Sequence, residues 1–198
     1  MTERLVLIAH APTSATHGAG FAADESLTPS GRSSAEAARG RLRRIRQALR
    51  GPETRCEETC AALGLTAGAG EELRDLDVGS WRGRSLEQVQ AEDPAGLLAW
   101  LTDPGASPHG GETINGMLER VAGWMDAWPH EPGRVAVITH PAVIRAVVLR
   151  VLCAPATAFW NLDVPPLSQT WLSWNGGKWR LRETGHPLAG EGADLADR

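Results

Sequence analysis

The chain of 198 residues carries 24 acidic and 20 basic side chains, a net charge of −4 and a pI near 5.9. This length suits one domain with a large buried core, and the acidic balance argues against nucleic-acid binding. No segment approaches the roughly 18 apolar residues of a membrane span, no signal-peptide cleavage site is recognisable, and three scattered cysteines predict buried or half-buried thiols in a cytoplasmic protein rather than disulfides or a zinc site.

The first quarter of the chain predicts a strand followed by a helix. Arg4–Ala9 is typical of a buried strand, and the Gly-, Ala- and Thr-rich residues 11–27 predict a loop. A helix starts near Ser30, whose hydroxyl can cap free backbone donors. The pattern predicts a helix also for the basic run Arg39–Arg50, whose apolar residues recur every three or four positions, so its arginines form a solvated face. A short extended stretch near residues 48–51 follows.

The middle of the chain predicts helices separated by irregular segments. A helix is expected over residues 55–63, and residues 66–84 lack a regular pattern. Ser85 with Gln88 forms a capping-box signature for a helix over residues 86–92. Residues 102–111 contain too many prolines and glycines for regular structure.

The last third predicts a helix, a strand, a second helix and a hairpin. The first helix has an apolar face formed by Ile114, Met117, Val121, Trp124 and Trp128. An apolar strand covers residues 135–139, and a helix over 142–152 begins beside Pro141. Two strands, Thr170–Trp174 and Lys178–Arg182, flank Asn175-Gly176-Gly177, a strong hairpin signal. These elements predict one α/β domain over residues 1–185: a three-layer α/β/α sandwich with a mostly parallel central sheet, a C-terminal β-hairpin and a disordered tail over 186–198.

Two histidines follow two of the predicted apolar strands. His10 comes after Arg4–Ala9, and His140 comes after residues 135–139. In an open α/β sheet, the carboxyl ends of neighbouring strands meet at the ligand crevice. A lone histidine at a strand end would more often be structural, and His140 could cap the helix that follows it. Two at equivalent places indicate instead a nucleophile and an electrostatic partner.

With these elements in order, the chain resembles the histidine phosphatase superfamily, the phosphoglycerate-mutase-like fold. The resemblance covers residues 5–183 and is carried by six segments. They are Leu7-Ile8-Ala9-His10-Ala11, Leu27-Thr28-Pro29-Ser30-Gly31-Arg32, Gly51-Pro52-Glu53-Thr54-Arg55 with Thr59, Leu73-Arg74-Asp75 with Gly79-Ser80-Trp81-Arg82-Gly83, and Pro108-His109-Gly110-Gly111-Glu112-Thr113, with Thr139-His140 as the second histidine.

The resemblance implies a phosphomonoesterase in which His10 attacks a phosphate ester and becomes a phosphohistidine. It implies that Arg55 and His140 offset phosphate charge and that Asp75 protonates the leaving oxygen. Asp75 could do so if burial or negative neighbours raised its pKa; Asp77 is an alternative acid, and either carboxylate could instead cap a turn. Possible substrate-binding residues are Thr13, Glu112 and Arg82. The mechanism implies no metal and no cofactor.

The chain departs from the family pattern on both sides of the expected nucleophile. The family has arginine where this chain has Ala9, and glycine where it has Ala11. Loss of an arginine from a phosphate clamp costs on the order of 10²–10³ in rate. Arg82 stands where the family usually has glutamate and could replace the missing cation, or it could be a plain surface arginine. Further candidates for that charge are Arg74, Arg84 and His17.

Three functions therefore stay open at this point. One is a weakened or re-specialised phosphomonoesterase acting on a small phosphorylated metabolite. Another is a catalytically inactive member that binds an anionic ligand or a protein partner. The third is an enzyme that depends on His10 but acts on a less charged, non-phosphomonoester substrate. Neither a nucleic acid nor a membrane is an expected partner, and the sequence leaves monomer and homodimer open.

Overall fold

The computed structural model describes residues 3–18 and 20–188, which form an α/β fold around one sheet. The strand order is β3-β2-β4-β1-β5-β6. The strands β3, β2, β4 and β1 are parallel to one another, whereas β5 is antiparallel to both β1 and β6. The strands are β1 (Glu3–Ala9), β2 (Ile45–Arg50), β3 (Gly68–Ala69), β4 (Gly133–Thr139), β5 (Ser168–Asn175) and β6 (Lys178–Pro187).

Helices cover both faces of this sheet. Their bounds are α1 (Ser14–His17), α2 (Pro29–Ala37), α3 (Thr54–Leu63), α4 (Leu86–Glu92), α5 (Pro94–Thr102), α6 (Ile114–Asp126) and α7 (Pro141–Leu152). Alternate residues of β1 enter two different hydrophobic clusters: Leu5 and Leu7 pack with residues of α6 and α7, whereas Val6 and Ile8 pack with residues of α3. Burial on both faces explains the unbroken apolar runs of β1 and β4. The predicted three-layer α/β/α sandwich is confirmed.

The basic run is the main difference from the sequence prediction. The helix that starts beside Ser30 ends at Ala37. The extended stretch expected near residues 48–51 is strand β2, which begins earlier, at Ile45, and replaces the end of the predicted helix. Pairing of β2 with β4 outweighs the helix-like spacing of its apolar residues, since strand preference depends on tertiary neighbours. Helix α5 was also absent from the prediction; it begins where the Asp93 side chain accepts a hydrogen bond from the Gly96 backbone N–H.

Two local predictions, the capping box of α4 and the C-terminal hairpin, are confirmed. Ser85 and Gln88 form the expected capping box at the start of α4. The hairpin turns at Gly176 and Gly177, both with positive φ (62° and 78°), as a tight turn between right-twisted strands requires.

The C-terminal boundary and one cysteine differ from expectation. Strand β6 continues to Pro187 and includes His186, so the tail does not start at residue 186, because these residues pair with β5. The remainder of the expected tail, 189–198, lies outside the described residues. Cys56 and Cys60 are buried as expected, but Cys153 is exposed because it ends α7 at the surface. Among the described helices, none is long and apolar enough to cross a membrane.

Candidate active site

The two histidines lie side by side at the carboxyl end of the sheet. Strands β1 and β4 are adjacent and parallel, with Ala9 opposite Thr139, so the next residue of each strand leaves the sheet at the same level. The His10 backbone N–H donates to the Thr139 carbonyl oxygen at 2.9 Å. The ring centroids of His10 and His140 are 5.3 Å apart in an edge-on arrangement. The register of the sheet therefore brings the two imidazoles together.

His10 is held as a neutral imidazole. Its Nδ1 lies 2.9 Å from the Ala11 carbonyl oxygen, which can only accept, so Nδ1 carries the proton and Nε2 keeps a lone pair. Among the described residues, none hydrogen-bonds this Nε2. Burial, followed by the charge of His140, lowers the pKa of His10 to about 3. The imidazole is consequently uncharged throughout the physiological pH range, with one proton on Nδ1.

His140 has the opposite charge state. It is the N-cap residue of α7, yet its imidazole does not cap that helix. Instead its Nε2 lies 2.7 Å from Glu53 Oε2 and 3.4 Å from Cys56 Sγ, and its Nδ1 lies 3.4 Å from Asp75 Oδ2. Burial alone would lower its pKa, but the charge of Asp75 and the hydrogen bonds with Cys56 and Glu53 raise it to about 10. His140 is therefore a fully buried imidazolium.

Arg55 supplies the second buried cation. It lies in the first turn of α3 with 2% of its surface exposed. Its Nη1 donates to the Ala23 carbonyl oxygen at 2.9 Å and its Nη2 to Asp75 Oδ2 at 2.7 Å. Within the described part of the chain, Arg55 Nε and His140 Nδ1 are buried without a hydrogen-bond partner. Unpaired buried donors are rare in folded proteins, and an oxyanion could accept from either of them.

Asp75 is ionised in the free protein. Burial acts to raise its pKa, but the charges of His140 and Arg55 lower it to about 2. The other carboxylate oxygen accepts from the Leu76 backbone N–H at 2.9 Å. A general acid at this position needs a raised pKa, and Asp75 does not have one in the absence of substrate. In its place, one carboxylate oxygen lies beside both cations, as an oxygen of a bound phosphate would.

Glu53 is a site residue that the sequence analysis missed. It is the N-cap residue of α3, but its carboxylate makes no cap and instead joins two other segments. Oε2 contacts His140, and Oε1 accepts from the Asp75 backbone N–H at 2.8 Å. A Cβ at Gly51 would lie 2.9 Å from His140 Nε2 and 3.0 Å from Glu53 Oε2, so a side chain there would crowd this pair. An acidic residue where helices usually carry a capping side chain was the available signal.

A cavity of about 520 Å³ opens beside His10, Arg55 and Asp75, with His140 behind its wall. Of the other candidates, those at its lining are Thr13, Arg74, Asp77 and Arg82. Its remaining walls include the aromatic rings of Phe21, Trp100 and Trp160, and Arg145 of α7.

Several predicted residues are engaged elsewhere. Glu112 is outside the cavity lining and receives two hydrogen bonds from Arg120, at 2.7 and 2.8 Å. Arg82, the expected replacement cation, is exposed and pairs with Asp77 at 3.0 Å. Two further candidates for the missing positive charge, His17 and Arg84, do not line the cavity.

The comparison with known families agrees with this geometry. The sequence model of the histidine phosphatase superfamily (branch 1) matches residues 5–186. This chain belongs to the histidine phosphatase superfamily. Within this superfamily, the native structure of a mycobacterial glucosyl-3-phosphoglycerate phosphatase superposes with a TM-score of 0.81 at 26% identity, covering 94% of this chain and 100% of that one.

Several of the matching curated relatives are phosphatases. The glucosyl-3-phosphoglycerate phosphatase of Mycobacterium tuberculosis is 29% identical over 171 residues, 77% of either chain. The adenosylcobalamin/alpha-ribazole phosphatase of Salmonella typhimurium is 28% identical over 97 residues, 47% of this chain and 48% of that protein. A bifunctional protein of M. tuberculosis is 29% identical over 54% of this chain, which spans only 30% of that protein's length.

Proposed function

We propose that this protein is a phosphomonoesterase that hydrolyses a small phosphorylated metabolite through a phosphohistidine at His10. The observation that carries the proposal is the arrangement around His10: its neutral ring, with Nε2 free, lies 5.3 Å from the ring of the His140 imidazolium and lines the same cavity as the Arg55 guanidinium. Phosphoryl transfer depends mainly on positioning and on charge stabilisation, and this arrangement supplies both. The phosphatase activity of the relatives supports the same reaction class.

In the first step, the Nε2 lone pair of His10 attacks phosphorus as the bond to the leaving oxygen breaks. The Nδ1–H bond to Ala11 orients the ring and stabilises the positive charge that develops on it. Arg55 Nε and His140 Nδ1 are the donors for the non-bridging oxygens. Because both groups are already charged and fixed, they need little reorganisation during the reaction.

The leaving oxygen needs a proton, and Asp75, which lines the cavity beside His10, can carry one. A dianionic phosphate beside this carboxylate raises its pKa, because like charges repel. Asp75 can then take a proton from solvent and pass it to the leaving oxygen. In the second step, the ionised carboxylate removes a proton from the water that attacks phosphorus, and the P–N bond breaks to release phosphate and neutral His10.

The test is hydrolysis of a panel of phosphate monoesters by the wild type, by His10→Ala and by His130→Ala. His130 is a matched control, since it pairs with Glu3 at the opposite end of β1. Release of phosphate by the wild type and the control, with loss in His10→Ala, supports the proposal. Turnover that survives in His10→Ala contradicts it. Tight binding of anions without turnover favours the inactive, ligand-binding alternative.

A further inference from the structure

Arginines that line the cavity differ in how their charge is compensated. Three of them have a carboxylate within ion-pair distance: Arg55 with Asp75 at 2.7 Å, Arg74 with Glu112 at 3.4 Å and Arg82 with Asp77 at 3.0 Å. Arg145 also lines the cavity, and no carboxylate among the described residues lies within 4.0 Å of its guanidinium. The charges of Asp163 and Asp75 act on it only from farther away.

Arg145 is nevertheless firmly positioned. Its Nε donates to the Leu162 carbonyl oxygen at 2.8 Å, and its guanidinium carbon lies 5.7 Å from the centroid of Phe159 and 5.3 Å from that of Trp160. Its two terminal nitrogens have no hydrogen-bond partner in the part of the chain that the structure describes. Burial lowers the pKa of Arg145, as expected for a charge without a close partner, but a guanidinium stays protonated in proteins. A half-buried cation with free donors thus faces the cavity.

The position of Arg145 separates it from the phosphate site. It follows His140 by five residues of α7, which corresponds to about 7.5 Å along the helix axis at 1.5 Å per residue. Its contacts are with residues 159–162, not with His10 or Arg55. Beside it, Trp100 and Trp160 form an aromatic wall, with ring centroids 4.5 Å apart.

We propose that Arg145 binds a carboxylate on the leaving group of the substrate, while Trp100 and Trp160 pack against the apolar part that joins this carboxylate to the phosphate. The proposal rests on the proposed function, because it assumes that the phosphate lies beside His10. A planar guanidinium with two free terminal nitrogens matches a carboxylate in bidentate geometry. The preferred substrates are accordingly phosphate esters of hydroxy-carboxylic acids rather than phosphate esters without a second anionic group.

The test compares esters that differ only in the carboxylate: phenyl phosphate against 3- and 4-carboxyphenyl phosphate. The wild type is expected to prefer a carboxylated ester. Arg145→Gln loses roughly 10- to 100-fold in kcat/KM on that ester, with little change on phenyl phosphate. Arg145→Lys recovers part of the loss, because it restores the positive charge but not the bidentate geometry of the guanidinium. Arg150→Gln, on the same helix but paired with Asp126 at 2.9 Å, changes neither rate.

Two kinetic results would overturn the assignment. Equal losses on both kinds of ester would place Arg145 at the transferred phosphate, and no preference for a carboxylate in the wild type would remove the subsite. If no ester is hydrolysed, the failure belongs to the proposed function, and binding decides the role of Arg145. Calorimetry then compares phenylphosphonate with 3- and 4-carboxyphenylphosphonate: a carboxylate preference lost in Arg145→Gln supports the subsite, whereas equal or absent binding refutes it.

Discussion

Glu53 Oε2 lies 2.7 Å from His140 Nε2, and the pair joins residues 87 positions apart in the chain. Burial acts to raise the pKa of Glu53, but its hydrogen bond with His140 and the charge of His140 lower it, so both partners are ionised. Because His140 is fully buried, its positive charge depends on these protein partners rather than on water. The site therefore keeps a buried positive charge at His140, although it lacks the arginine that the family pattern has at the position of Ala9.

Glu53→Gln tests this through the pH dependence of activity. The imidazolium is present below its pKa and is lost as pH rises through it, so the alkaline limb of kcat/KM in the wild type lies near pH 10. Loss of a charged hydrogen bond moves this limb downward by roughly one to two pH units. Glu57→Gln, on the same helix but paired with Arg50 at its surface, leaves the limb in place. An unmoved limb in Glu53→Gln would show that Glu53 does not maintain the charge of His140.

Gly51→Ala tests the space around the same pair. The added Cβ would meet His140 Nε2 and the Leu73 carbonyl oxygen, both at 2.9 Å, and neither can move away cheaply inside the core. We expect lower thermal stability and a rate loss in the same direction as that of Glu53→Gln. Gly68→Ala is the matched control, because no described atom lies within 4 Å of a Cβ built there. Equal behaviour of the two alanine variants would contradict this interpretation.

The sequence alone predicted those parts of the site that follow from short segments. His10 and His140 stand directly after apolar strands, so topology places them together once the sheet is parallel. The hairpin was equally local, because Asn175-Gly176-Gly177 determines its turn.

Features that depend on distant partners could not be predicted in this way. The first part of strand β2 was interpreted as the end of a helix, and only residues near 48–51 as extended, because pairing with β4 is what distinguishes the two. The role of Glu53 requires knowing where His140 and the Asp75 backbone lie. Asp77 neutralises the charge of Arg82, whereas Arg145 has no carboxylate within ion-pair distance among the described residues. This difference likewise appears only when all cavity side chains are in place.

Ala9→Arg tests whether a cation is missing from the cavity or has been replaced. Ala9 is fully buried in the same cluster as Leu5 and Leu7. A long side chain there costs about 1–3 kcal/mol from over-packing alone, and a third buried positive charge beside His140 and Arg55 costs more. We expect a lower unfolding midpoint without a gain in kcat/KM. Ala9→Met separates bulk from charge. A stable Ala9→Arg variant with a large gain in rate would mean that the missing arginine was never replaced.

Asp75→Asn tests the double role of this carboxylate. In the free protein, the Asp75 carboxylate pairs with the two cations, Arg55 and His140, that a bound phosphate would contact. The Asp75→Asn variant removes this competing charge, so it should bind inorganic phosphate roughly 10-fold more tightly or better. Turnover should fall at the same time, since the asparagine cannot move a proton. Asp126→Asn, whose carboxylate pairs with Arg150 at the surface, serves as control for both measurements. Weaker phosphate binding in Asp75→Asn would refute the competition.

Direct detection of the covalent intermediate tests the central claim most sharply. The protein is mixed with a phosphate ester, quenched in alkali, in which phosphohistidine survives, and mapped by mass spectrometry; the chemistry described here predicts one phosphoryl group on His10 in the wild type and none in His10→Ala. Turnover without any phosphorylated histidine, or a phosphoryl group on another residue while His10→Ala stays active, would contradict the account.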